Sequence, residues 1–175
     1  LIIYAHENIY GGEWSNVTFT GGSAHSYFEG GIFGFDENLN YFHNGEFPID
    51  EKLTEEYGYP TGATSDRIVL SAGDYIDMGS FTSWDFYFDP AYGFHKFADR
   101  EGNFVNSYIV NAGEELSVKL VRSYSGMGSD PIVYDEAYYT VFYGKEYGNE
   151  EGTVSTDATG GAKITFDEAG TYYLW

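Results

Sequence analysis

The sequence predicts an all-β protein, an antiparallel β-sandwich with one short helix, in one or two sandwich modules. Three observations support this fold class. Aromatic residues make up 20% of the 175 residues, with 18 Tyr and 14 Phe, and these types favour strands over helices. The 23 Gly residues are typical of a chain in which many short strands need many turns. In the last third, short alternating segments recur about every 8–12 residues, which is the spacing of sandwich strands.

The first part of the chain predicts short strands separated by glycine pairs. Residues 1–4 and 32–35 are apolar runs, and residues 16–20 alternate between apolar and polar side chains. Pairs of adjacent glycines follow or precede these segments, and such pairs end strands or allow bulges and tight turns.

One segment, residues 48–59, predicts a helix. Its side chains at Ile49, Leu53 and Tyr57 recur every four residues, which places them on one helical face. Acidic residues follow Pro48 at the start, where the helix dipole favours negative charge. A helix this short is not stable alone, so we expect its apolar face to pack against the sheet.

Two stretches of the chain share one pattern. "IVLSAGDYIDM" begins at Ile68 and "YIVNAGEELSV" begins at Tyr108. Each predicts a strand, a tight turn containing Gly, an acidic residue and a second strand. Two interpretations stay open, a true internal repeat of related modules and a common hairpin pattern that recurs by chance. We expect two domains, a β-rich domain of unassigned family over residues 1–107 and a sandwich domain over residues 108–175.

The last third predicts the most regular succession of strands, at residues 116–121, 132–134, 138–143, 154–156, 162–166 and 171–175. Its tail, "STDATGGAKITFDEAGTYYLW", resembles the end of bacterial immunoglobulin-like (Ig-like) domains, which close with a T-D-x-x-G turn, a strand, a D-E-A-G turn and a TYY strand. The stretch "VNAGEELSVKLVRSY" is similar to the opening strand pair of such domains. The resemblance covers residues 108–175 and implies an Ig-like sandwich carried as one of several modules on a Gram-positive cell surface. We therefore expect an extracellular piece of a longer protein.

Net charge and the absence of Cys exclude several classes of partner and site. With 8 basic and 28 acidic residues the net charge is −20, which repels nucleic acid and anionic membrane surfaces. The chain has no Cys, which excludes disulfides and thiolate metal sites, and it has no apolar run long enough for a membrane helix. The expected partners are a protein or a glycan at the cell surface, or further copies of the chain.

Aromatic residues and neighbouring acids suggest a sugar-binding site. Trp14, Trp84 and Tyr92 are candidates for stacking on pyranose rings, and Asp85 and Asp89 flank them as acceptors for sugar hydroxyls. The alternative is that the rings of "WDFYF" fill the core between two sheets. The candidate ligand-binding residues are thus these five.

A calcium site is the one metal site that the sequence suggests. Asp36, Asn38 and Asn40 occupy positions 1, 3 and 5 of a calcium-loop spacing. The loop lacks the Gly and Glu that would be needed at the positions of Tyr41 and Phe47. An Asx-rich turn is the alternative, and we expect no cofactor other than this Ca²⁺.

No catalytic motif stands out. The four histidines lack zinc-site spacing, no G-x-S-x-G elbow exists, and abundant acids alone do not define a glycosidase pair. A Lys–Asn crosslink would need a buried lysine, whereas Lys119 and Lys163 fall on outward faces of predicted strands. We therefore expect a non-catalytic extracellular module of a bacterial surface protein, serving adhesion, spacing or assembly. The alternative is a carbohydrate-binding module with exposed aromatics, attached to a glycan-degrading enzyme.

Overall fold

The computed structural model describes residues 2–20, 27–34, 39–80, 85, 89–99 and 101–175. Its regular structure is mostly antiparallel β-sheet, which confirms the predicted all-β class at this level. The chain forms two compact units, a first unit of Leu1–Phe94 with Tyr124–Ile132 and a second unit of His95–Ser123 with Val133–Trp175. The division into domains of residues 1–107 and 108–175 stays a prediction.

The first unit contains two small sheets and most of the helical segments. Strand β1 pairs with β2, and β3 pairs with β4, each pair antiparallel. The elements are α1 (Ile2–Tyr4), a π-helical segment (Ala5–Tyr10), a 3-10 turn (Trp14–Asn16), β1 (Thr18–Thr20), β2 (Tyr27–Gly30), β3 (Leu39–His43), α2 (Glu51–Tyr57), β4 (Ile76–Ser80) and a 3-10 turn (Pro90–Tyr92).

The first described residues form a helix, although the apolar run at residues 1–4 suggested a strand. The helix continues into the π-helical segment and ends at Gly11, whose φ of +81° suits glycine. Residues four apart on a helix share a face. The ring of buried His6 therefore lies 5.5 Å from that of Tyr10. Ile3 and Tyr4 are exposed.

The predicted helix at residues 48–59 is present as α2, and its two ends have clear causes. Asp50 is the N-cap, because its Oδ1 accepts a hydrogen bond from the Leu53 amide at 3.0 Å. Gly58 ends the helix with a φ of +74°. The predicted apolar face is wrong at Tyr57, which is 49% exposed and lies against the ring of Tyr59.

The second unit contains two sheets that share one core. One sheet has the order β10-β6-β5 with β7 also on β6, and the other has the order β11-β8-β9. The strands are β5 (Phe94–Ala98), β6 (Glu115–Tyr124), β7 (Ile132–Asp135), β8 (Thr140–Gly144), β9 (Gly152–Ser155), β10 (Gly161–Thr165) and β11 (Tyr173–Leu174). The buried core residues are Val118, Leu120, Val141, Ala162, Ile164 and Phe166. Alternate residues of β6 and β10 reach this core, as the sequence pattern predicts.

Two turns of the first unit are held together by Asp74. Its Oδ1 accepts a hydrogen bond from the Asn44 amide at 2.8 Å, and its Oδ2 accepts one from the Ser71 backbone N–H at 2.7 Å. His43 Nε2 lies 2.9 Å from the same Oδ2. These donors favour the ionised carboxylate, so the hydrogen bond from Asn44, then that from Ser71 and that from His43, lower the pKa of Asp74 to about 2.

Replacing Asp74 with Asn should destabilise the protein in a pH-dependent way. The folded-state pKa of about 2 lies below the ordinary value of 3.8. Asp74 therefore contributes stability above about pH 4, and this contribution is lost as pH falls towards 2. We expect Asp74→Asn to lower the urea midpoint at pH 6 and to match the parent near pH 2.

Exposed Asp167 in a turn of the second unit provides the control. The Asp167→Asn variant should follow the parent at both pH values. A stability difference for Asp74→Asn that stays constant from pH 6 to pH 2 would contradict the assigned role of its charge.

Candidate functional site

The structure brings Asp89 and Tyr92 together in one short turn. Asp89 caps the 3-10 turn Pro90–Tyr92, since its Oδ1 accepts a hydrogen bond from the Ala91 amide at 2.8 Å. Tyr92 is partly buried and Asp85 is exposed, while Trp84 lies outside the described residues. Asp89 is therefore engaged in local structure, and the sugar-binding role of this group stays a prediction.

Trp14 lies in the first unit, packed against buried residues. Its indole is partly buried against Val17 and Ile32, and its ring contacts that of His6 edge-on at 6.0 Å. The stacking role that the sequence suggested for Trp14 requires an exposed ring. The partial burial arises because the 3-10 turn Trp14–Asn16 directs the indole towards the small apolar core.

The predicted calcium residues are only partly described. Asp36 and Asn38 lie outside the described residues, and Asn40 is a 7% exposed residue of β3. Within the part of the chain that the structure describes, no group of three His, Cys, Asp or Glu side chains could hold a metal ion. The calcium site stays a prediction.

The most chemically suggestive cluster surrounds Glu136, which sequence reasoning missed. Its carboxylate is 4% exposed and lies 2.9 Å from Arg122 Nε and 3.6 Å from His95 Nε2. A hydrogen bond with Tyr139, together with the charge of Glu136, raises the pKa of the Tyr139 hydroxyl. Three side chains thus surround the carboxylate oxygens, which leaves them little access to a substrate.

The backbone around Glu136 is also held in place. Thr156 Oγ1 donates a hydrogen bond to the Glu136 carbonyl at 2.6 Å and accepts one from the Tyr139 amide at 2.9 Å. The Glu136 amide donates to the Leu120 carbonyl at 3.1 Å. These contacts fix the turn between β7 and β8, where Tyr138 has a φ of +64°. The sequence signal was faint, since the ion-pair partners lie far apart along the chain.

Residues 106–111 of the second unit, which we call the open edge, pair with none of the strands that the structure describes. Val105 donates its backbone N–H to Phe97, and Gly113 donates to Phe166. Between these two residues, no backbone N–H donates to any described residue. Tyr108 and Val110 pack on the core while Ile109 is fully exposed, which is the side-chain alternation of a strand.

A groove lies beside the open edge. It has a volume of about 680 Å³ and is bounded by residues 105–112 on one side and residues 168–174 on the other. Strand β11 contributes to the second wall and pairs only with β8 in the order of its sheet. The groove is therefore lined by the open edge and by β11, which stands at the end of its sheet among the described strands.

The first unit contains the same local arrangement at the other copy of the repeated pattern. Residues 68–70 belong to no strand ladder in the part of the chain that the structure describes, Val69 is 84% exposed, and Ile68 and Leu70 line a cavity of about 40 Å³. The turns that follow have equivalent hydrogen bonds, from Asp74 N to Ser71 O at 3.2 Å and from Glu114 N to Asn111 O at 3.1 Å. The glycine before the acidic residue has a positive φ in both turns, +96° at Gly73 and +82° at Gly113. The repeated sequence pattern thus has a repeated local structure.

Four aromatic residues lie on the outer side of the sheet β11-β8-β9, and we call them the aromatic face: Phe142, Tyr147, Tyr173 and Trp175. The rings of Phe142 and Trp175 are nearly parallel, with centroids 6.2 Å apart and planes 17° apart. The Tyr147 ring lies 5.4 Å from that of Trp175. The alternation in "TYYLW" carried a signal for this face, since Tyr173 and Trp175 are two residues apart and fall on the same side of the strand.

Comparisons with protein-family models, curated proteins and solved structures give no match. Among the described residues, none of the helices has the length and apolar character required to cross a membrane.

Replacing Glu136 with Ala should destabilise the second unit strongly. The change leaves the Arg122 guanidinium, which is 21% exposed, without its carboxylate partner. An unpaired, largely buried charge of this kind costs about 3 kcal/mol. We expect a loss of this size in the free energy of unfolding, measured by urea denaturation.

The Glu168→Ala variant is a matched control, because Glu168 also pairs with a cation, Lys145, but is 76% exposed. Its urea midpoint should change little. Equal effects for the two variants would contradict a special role for the buried carboxylate.

Proposed function

We propose that this chain is a non-catalytic extracellular module of a bacterial cell-surface protein and that it assembles with further copies by strand addition. The observation that carries the proposal is the open edge, whose backbone N–H groups donate to no described residue, beside a groove of about 680 Å³. Strand addition uses main-chain hydrogen bonds for affinity and pockets for alternate side chains for specificity. The open edge offers the main-chain groups, and the groove offers room for side chains.

The finer fold that goes with this function is an Ig-like antiparallel sandwich. Two sheets that contribute to one core support it in the second unit. In that arrangement the open edge corresponds to an opening strand that precedes the turn at residues 112–113, and the groove corresponds to a vacant strand position. The resemblance of residues 108–175 to bacterial Ig-like domains supports the same assignment, together with the surface location.

The absence of charged side chains along residues 102–113 suits another copy of the chain as the occupant of the groove. The protein has a net charge of −20, but residues 102–113 contain no charged side chain. An uncharged strand can therefore approach the groove without local repulsion or unpaired buried charge. Residues 103–113 of a second copy are such a strand, rich in aromatic and β-branched residues.

The surroundings of Glu136 support a contact role over catalysis. The carboxylate is enclosed by protein groups, and its neighbours serve the packing of a turn. A catalytic acid or base must reach the substrate proton within hydrogen-bond distance. The groups available for contact in the second unit are instead the backbone N–H groups of the open edge, which donate to no described residue. Such groups are suited to association.

Ile109→Asp should weaken self-association of the chain. Ile109 is fully exposed at the open edge, and a carboxylate there adds like-charge repulsion and removes an apolar strand former. We expect concentration-dependent association of the parent in sedimentation velocity and a dissociation constant raised by about tenfold in the variant. A synthetic peptide of residues 103–113 should bind the parent and compete with association.

The control is Ile9→Asp, which places the same change on a 78% exposed isoleucine in the π-helical segment. This variant should associate as the parent does. A parent that stays monomeric at every soluble concentration and does not bind the peptide would refute the assembly proposal.

A further inference from the structure

We propose that the aromatic face binds a neutral polysaccharide. This site is distinct from the open edge and uses none of the residues 103–113, so it does not depend on the assembly proposal. It also differs from the group around Trp14, Trp84 and Tyr92 that the sequence suggested. The ligand class follows from the orientation of the rings, the exposure of Tyr147 and Tyr173, and the charge around them.

The aromatic face points away from the core. Val141 and Tyr143 of β8 contact the core, so Phe142 between them is directed to the other side of the sheet. In the same way Tyr172 and Leu174 pack on the core, and Tyr173 and Trp175 point outward. Backbone hydrogen bonds between Phe142 and Trp175, at 2.8 and 3.0 Å, make these two residues direct neighbours across the strands.

Trp175 is the centre of the aromatic face. Its ring centroid lies 6.2 Å from that of Phe142, with the planes 17° apart, and 5.4 Å from that of Tyr147, with the planes 54° apart. The C–H faces of pyranose rings pack on aromatic rings. Because the Tyr147 ring is tilted against the Trp175 ring, neighbouring sugars of a twisted chain can each contact one of these rings.

Polar groups around the rings suit sugar hydroxyls. Thr153 is exposed and lies directly across from Phe142 on β9. The hairpin that carries Tyr147 also contains the exposed acids Glu146, Glu150 and Glu151. Carboxylates accept hydrogen bonds from hydroxyl groups and repel uronic acids, sulfated glycans and nucleic acid, so the favoured ligand is an uncharged polysaccharide.

Sheet packing alone does not account for the position of Tyr147. The pair of Phe142 and Trp175 has a structural use, because aromatic pairs across strands stabilise sheets. Tyr147, however, lies in the turn between β8 and β9, where Gly148 has a φ of +81°, and its side chain is 74% exposed. A tyrosine with so little burial contributes little to folding, and its ring extends the aromatic face beyond the strands.

The test is affinity electrophoresis of the whole chain in gels that contain hydroxyethyl cellulose, mixed-linkage β-glucan or xylan. Polygalacturonate serves as the anionic polymer. We expect retardation by at least one neutral polymer and none by polygalacturonate. Tyr147→Ala and Trp175→Ala should each weaken binding by about tenfold.

Tyr138→Ala is the matched control, because Tyr138 is 78% exposed but is not part of the aromatic face. It should bind as the parent does. Because Trp175→Ala removes a cross-strand pair and can unfold the sheet, the thermal midpoint of each variant is measured as well, and Tyr147→Ala should retain that of the parent. Absence of retardation by every neutral polymer, or equal loss in Tyr138→Ala, would overturn the proposal, whereas loss of self-association in Ile109→Asp leaves it untouched.

Discussion

The second unit depends on keeping the Glu136 carboxylate compensated where water hardly reaches it. A buried charge is tolerated only when opposite charge and hydrogen-bond donors surround it. Arg122 supplies the positive charge, His95 Nε2 lies 3.6 Å from the carboxylate, and Thr156 holds the backbone of Glu136. This arrangement joins β6 to the turn that starts β8 and therefore links the two sheets that share the core. The regular strands around it can follow simple alternation because the irregular turn is fixed in this way.

Local patterns predicted those features of the fold that have local causes. The alternation of β6 and β10 and the capped helix α2 follow from neighbours along the chain. Whether an extended segment finds a partner strand is decided by distant residues. The stretches at residues 68–70 and 108–110 accordingly have the side-chain alternation of strands but pair with no other described residues in a ladder. The ion pair of Glu136 has the same non-local character, and no spacing rule points to it.

The candidate binding residues show the same limit. Aromatic content predicted that rings would matter, but not which of them face outward. Trp14 follows a glycine pair and nevertheless packs on a small core, whereas Trp175 ends an alternating strand and faces outward. Strand alternation becomes informative only when one residue of the strand is known to be buried. Val141 and Leu174 supply that reference for the aromatic face, and the three-dimensional structure was needed to identify it.

The lack of ladder hydrogen bonds at residues 106–111 has a consequence for solvent exchange. Amide protons in a paired strand such as β6 are released only when the structure opens, whereas unpaired amides exchange almost as quickly as in a free peptide. Deuterium uptake should therefore divide the neighbouring residues 106–111 and 115–124 into fast and slow groups. When a strand occupies the groove, the fast group becomes slow. Deuterium uptake at residues 106–111 thus reports directly whether the groove is occupied.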